Sequence, residues 1–114
     1  MGDSYTHSPV TVEGKRAVVI GGTSGIGEAI ALSFASDGAD VVATSRTPER
    51  VADPADRLRD RGADTVETTT DVTDRATLED TRDRTVEAFG GVDVLVTSAS
   101  AIARTAVEET TEAE

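Results

Sequence analysis

Between Val18 and Ile30 the chain reads VVIGGTSGIGEAI, with four glycines in the seven residues from Gly21 to Gly27. An apolar, β-branched run, Arg16 to Ile20, precedes them, as expected of a strand buried on both faces. After them, Ile26, Ala29, Ile30 and Phe34 recur at helical spacing from Gly25 to Asp37, and Gly38 stands where a helix C′ residue belongs. A strand that turns on glycines directly into a helix limits the fold severely. Such a turn exposes the N–H groups of the helix N-terminus, which favour a phosphate. The plainer reading is a turn that only connects strand to helix.

Spacing decides between the phosphate-binding and catalytic glycine motifs. A P-loop requires Gly-Lys-Ser/Thr after four residues, but Glu28 and Ala29 follow Gly27, and a carboxylate there would repel phosphate. The hydrolase elbow G-x-S-x-G fails because Ile26 replaces its second glycine. The G-x-G-x-x-G fingerprint fails at Ile30. What remains is G-x-x-x-G-x-G at Gly21, Gly25 and Gly27.

The rest of the chain alternates strands with helices. A second buried-type strand spans Asp40 to Ser45. A helix follows with Asp53 as N-cap and Pro54 at its first position, ending at Gly62. A more polar strand is expected over Asp64 to Thr70. Asp74 caps a third helix carrying Leu78, Thr85, Val86 and Phe89 and closed by Gly90-Gly91, and Val92 to Thr97 forms a fourth strand. This β-α-β-α-β-α-β order predicts an α/β fold, a Rossmann-type doubly wound parallel sheet of strand order 3-2-1-4, about half of a dinucleotide-binding domain. Residues 1–14 read as a loose polar arm and 15–114 as the incomplete half-domain.

Composition narrows the partners. The formal net charge is −11, from 22 acidic and 11 basic residues, which disfavours nucleic acid and anionic membrane. There is no cysteine, so disulfides and thiol chemistry are excluded. No secretory signal or membrane span is legible, making the cytoplasm the default. An acidic, threonine-rich surface whose only lysine is Lys15 resembles that of proteins from salt-loving microbes.

From about Glu13 onward the chain resembles the short-chain dehydrogenase/reductase family. The carriers are GKRAVVIGGTSGIGEAIA, DVT at Asp71 to Thr73, GGVDVLV, and TSAS at Thr97 to Ser100. The family usually has Asn-Asn-Ala-Gly at this last place, where only Ala99 agrees. Ile20 also replaces its usual Thr before the first motif glycine. The resemblance implies a dinucleotide held by Gly21, Thr23, Ser24, Gly25, Ile26 and Gly27. Asp71 and Val72 would lie against the adenine, and Ser98 and Ala99 on the ribose side. For Asp71 the alternative is a loop-shaping role.

The second strand ends ATSRT, without the acid that would bind a ribose 2′-OH. Ser45 can donate a hydrogen bond and Arg46 can grip a 2′-phosphate, which predicts NADP(H) over NAD(H). The alternative for Arg46 is a solvated loop arginine. The implied reaction is hydride transfer to or from a carbonyl or alcohol, with a Ser and a Tyr-x-x-x-Lys pair as acid/base machinery. Tyr5 and Lys15 lie ten residues apart and cannot supply that pair, and His7 falls in the arm. Ser98 and Ser100 have no nearby base to activate them. Catalytic residues are therefore expected to be absent from these 114 residues. The alternative is a non-catalytic dinucleotide-binding fragment or pseudoenzyme. The edge of strand 92–97 is expected to be unpaired and available for self-association.

Overall fold

The computed structural model describes residues 11–98. The expectations for Tyr5, His7, Ala99, Ser100 and most of the N-terminal arm lie outside them. Strand β1 (Arg16–Ile20) leads through the glycine turn into helix α1 (Gly25–Ser36), then β2 (Asp40–Thr44). A 3₁₀ turn (Pro48–Arg50) precedes α2 (Ala52–Asp60), and α3 (Arg75–Phe89) leads into β3 (Val94–Thr97).

β1 is the central strand and pairs in parallel with both neighbours, giving the order β2-β1-β3. Val18 lies opposite Val42 on one side and Leu95 on the other. β1 and β2 are covered on both faces, which is why they are almost wholly apolar. On one face Val19, Val41 and Ala43 pack with Ala31 and Ala35 of α1 and Leu58 of α2. On the other, Val18, Ile20 and Val42 meet Val66, Val72, Leu78 and Phe89. Gly27, Ala31 and Ala35 form a stripe of small residues on α1 that lets the helix lie close to the sheet.

Three expectations need correction. Residues 64–70 form no strand, although they lie beside β2. The Val41 N–H donates to the Asp64 carbonyl (3.1 Å), the Thr70 N–H donates to the Ser45 carbonyl (2.9 Å), and a bridge joins Ser45 to Thr69. The outer position of the expected 3-2-1-4 order is thus held by an irregular segment. In it Val66 is the one large apolar residue available to anchor a pleat. Secondly, α2 starts at Ala52 with Val51 as its N-cap, so Pro54 is its third residue rather than its first. A first-turn proline is tolerated because its missing N–H would have no intrahelical partner. Thirdly, β3 begins at Val94 because the preceding Asp93 turns toward Arg16.

That contact fastens the N-terminal ends of β1 and β3. Arg16 grips Asp93 bidentately, Nε to Oδ2 at 2.8 Å and Nη2 to Oδ1 at 3.0 Å. Two further bonds form there: the Arg16 backbone N–H donates to the Asp93 carboxylate Oδ2 (2.9 Å), and the Asp93 N–H donates to the Arg16 carbonyl (2.7 Å). Hydrogen bonding from Arg16 pulls the Asp93 carboxyl down to about 2.

Candidate functional site

The site forms at the C-terminal ends of the strands, where a doubly wound sheet opens a crevice. The Gly21 and Gly22 N–H groups both donate to the Thr44 carbonyl, at 2.9 and 3.2 Å. The glycine turn is therefore tied to the end of β2. Gly25 has φ +60°, a left-handed conformation that L side chains rarely adopt, and an added Cβ there would meet nothing within 4 Å. Gly27 is needed for close approach, because a Cβ on it would overlap the Gly21 carbonyl oxygen and lie 3.1 Å from Gly22 Cα.

α1 begins directly on this turn. Its first intrahelical bond runs from the Glu28 N–H to the Ser24 carbonyl (3.2 Å), leaving the N–H groups of Gly25, Ile26 and Gly27 ahead of it. Ser24 occupies the N-cap in extended conformation, but its hydroxyl makes no capping bond. Glu28, the acid in the first turn, is held by Arg57 of α2 at 2.6 Å. That pairing offsets its repulsion of an anion at the turn.

A cleft of about 340 Å³ opens between the turn and the segments after β2 and β3. Its walls include Gly21, Thr23, Ser24, Gly25 and Ile26 from the turn, Ser45, Arg46 and Arg50 after β2, Val72, and Ser98 after β3. Ser98 is fixed by its N–H to the Ile20 carbonyl at 2.7 Å. No carboxylate lines the cleft among the described residues. Ile26, 76% exposed, stands at its edge. A polar floor, exposed helix N–H groups, two guanidinium groups and apolar edges fit a nucleotide carrying phosphate.

The sequence profile described as short chain dehydrogenase matches residues 15–114. The chain belongs to the short-chain dehydrogenase family. An uncharacterized oxidoreductase of Thermotoga maritima is 45% identical over 89 residues, covering 78% of this chain and 35% of that protein. Another from Staphylococcus saprophyticus is 40% identical over 101 residues, covering 88% of this chain and 43% of that protein. The crystal structure of a hydroxysteroid dehydrogenase from Escherichia coli superposes with a TM-score of 0.72 at 30% identity, over 76% of this chain and 37% of that one. The chain thus spans less than half the length of these relatives.

Within this short-chain dehydrogenase chain, most of the expected site residues converge. Gly21, Thr23, Ser24, Gly25, Ile26, Ser45, Arg46, Val72 and Ser98 line one cleft, and Gly27 supports the turn from behind. Ala99 lies outside the described residues. Asp71 is not among the lining residues. Its Oδ1 accepts from the Thr73 hydroxyl (2.6 Å) and the Thr73 N–H (2.9 Å), a local turn of the kind aspartate often makes. Those bonds, with a smaller contribution from the Arg46 charge, hold its carboxyl below the usual range. The Ser45 hydroxyl donates to the Thr47 carbonyl (3.0 Å) and accepts the Thr47 N–H (3.1 Å), so it shapes its own loop.

Arg50 was not visible as a site residue in the sequence. It lies five residues beyond Ser45, past the end of β2 where the ribose-binding side chain is sought. The missed signal is Pro48, which starts the 3₁₀ turn that returns Arg50 to the cleft.

Proposed function

We propose that this chain is the NADP(H)-binding part of a short-chain dehydrogenase/reductase. The observation that carries the reading is a cleft with Arg46 at the end of β2 and no carboxylate on its described walls. A carboxylate there would accept from a 2′-OH and repel a 2′-phosphate, whereas a guanidinium favours the phosphate. The turn from Gly21 to Gly27 would hold the pyrophosphate, Val72 and Asp71 the adenine side, and Ser98 and Ala99 the ribose side. When bound, such a cofactor supplies or accepts hydride at a carbonyl or alcohol carbon. Titration of the chain with NADPH and NADH tests the assignment. The expected result is clearly tighter binding of NADPH, and equal affinity would overturn the role of Arg46.

The 114 residues contain one tyrosine and one lysine, Tyr5 and Lys15, and so no Tyr-x-x-x-Lys pair. The expected outcome with a carbonyl substrate is binding of NADPH without its consumption. Carbonyl-dependent consumption would refute that expectation. The second reading, a dinucleotide-binding fragment or pseudoenzyme, is supported by the same lack of a pair. It is separated from the first by adding a polypeptide that contains a Ser and Tyr-x-x-x-Lys segment and looking for restored turnover.

The acidic, lysine-poor composition supports a home in a salt-rich cytoplasm. Among the described residues no helix is long and apolar enough to cross a membrane. Among the described residues β3 pairs on one side only, with β1, and Leu95 is 64% exposed. These features support self-association along that edge. Sedimentation of the Leu95→Lys variant should show less dimer than the parent chain, and unchanged association would argue against this edge.

A further inference from the structure

We infer that Arg57 is a positioning residue for the cofactor: by holding the Glu28 carboxylate it keeps the start of α1 electropositive, so that the glycine turn accepts a pyrophosphate. This rests on the dinucleotide-binding reading above. It applies to NADP(H) and NAD(H) alike, since both carry that pyrophosphate.

Glu28 is discordant at its place in the chain. It is the one acid between Gly14 and Ser36, and it directly follows Gly27 in the first turn of α1. The partial charge at a helix N-terminus is about +0.5, so a full negative charge in the same turn would outweigh it and oppose an anion. The Glu28 side chain is 22% exposed, which limits its screening by water and salt. The sign of the charge at the turn therefore depends on what neutralises Glu28.

Arg57 does so from a different element. Its Nε and Nη2 both lie 2.6 Å from Glu28 Oε2, across 29 residues of sequence. The backbone that carries it is well anchored, because the next residue, Leu58, is 1% exposed and packs in one cluster with Ala31 and Ala35 of α1. Two other arginine pairs have a different character. Arg75 with Glu79 and Arg84 with Asp80 each close over one turn of α3 and serve the helix that carries them. The Arg57–Glu28 pair instead joins two helices at the turn where the cleft opens. With the carboxylate neutralised, the helix start again offers its charge of about +0.5 to a phosphate.

The test is titration of the full chain with NADP⁺ and with NAD⁺ at low ionic strength. The parent is compared with Arg57→Gln, Arg57→Lys, Glu28→Gln and the double variant Arg57→Gln/Glu28→Gln, each checked for folding by circular dichroism. Arg57→Gln should weaken both dinucleotides by about two- to fivefold, the usual effect of one charge at a helix terminus. Arg57→Lys keeps the positive charge and should bind like the parent. Glu28→Gln should bind at least as tightly as the parent, and the double variant should recover what Arg57→Gln loses. A parent that binds with an unaffected Arg57→Gln variant would overturn the inference alone. So would a loss that persists in the double variant, which would make Arg57 a structural tie between the helices, or a weaker Glu28→Gln. A loss confined to NADP⁺ would overturn it too, placing Arg57 against a part that NAD⁺ lacks. A parent that binds neither dinucleotide would overturn the dinucleotide-binding reading and this inference together.

Discussion

Replacing Gly27 with alanine tests how the cradle is built. The new Cβ would overlap the Gly21 carbonyl oxygen, lie 2.8 Å from its carbonyl carbon and 3.1 Å from Gly22 Cα. Ordinary carbon contacts begin near 3.5 Å, so the helix start must shift by the better part of an ångström. Gly21 cannot retreat easily, because its N–H is held by the Thr44 carbonyl at 2.9 Å. Overpacking of this kind costs about 1–3 kcal/mol, and the obstacle here is backbone, which favours the upper end. Alanine returns up to about 1 kcal/mol through helix propensity. The expected net loss is therefore about 1–2 kcal/mol, read as a lower urea midpoint with unchanged slope. Dinucleotide affinity should fall more than stability suggests, by tenfold or more, since the displaced N–H groups would make the charge-assisted bonds to the proposed pyrophosphate, which are sensitive to geometry. Gly62→Ala is the control: φ is +90° with nothing within 4 Å, so stability should fall by about 1–2 kcal/mol while affinity is kept. A Gly27→Ala chain that folds and binds like the parent would refute the close seating of α1 on the turn.

Leu58 is 1% exposed and joins α2 to the face made by Val19, Val41 and Ala43, so Leu58→Ala should cost about 2–5 kcal/mol in urea unfolding. Asp93 has a folded pKa of about 2 against an ordinary 3.8, so its ion pair contributes stability above about pH 4 that is lost as pH falls toward 2. Acid titration of Asp93→Asn, followed by circular dichroism, should show a weaker dependence on pH across that window. With a net charge of −11, the chain should gain stability as salt rises from millimolar to molar, read as an increase in Tm.

The features that spacing controls were legible in the sequence, whereas those that depend on tertiary closure were not. Gly21 and Gly25 mark the turn by positive φ values that L side chains rarely adopt, and Gly27 marks it because a Cβ there would overlap the Gly21 carbonyl oxygen. Buried runs such as RAVVI need no context, since a strand covered on both faces is apolar throughout. Asp74 was legible for a local reason: its side chain accepts the Ala76 N–H at 3.0 Å. The segment from Asp64 to Thr70 misled because β-branched threonines favour extended backbone, yet they supply little apolar surface to hold a full strand. Arg50 and the inward-turned Ser45 hydroxyl were hidden because both depend on how the chain closes after β2.

The Thr44 carbonyl joins two parts of the site that the sequence presents separately. It accepts from Gly21 and Gly22 on one side, and the very next residues, Ser45 and Arg46, begin the loop that would read the ribose. Thr44 is itself fully buried, so its carbonyl is a fixed point shared by both. A displacement of the glycine turn therefore pulls on the same peptide that positions Arg46. Binding of pyrophosphate and discrimination at the 2′ position should then be coupled. A turn variant such as Gly27→Ala should lose NADP⁺ affinity by a larger factor than NAD⁺ affinity, although Gly27 is remote in sequence from Arg46. Equal losses would show instead that the turn and the loop act independently, with Thr44 serving only as an anchor for the strand.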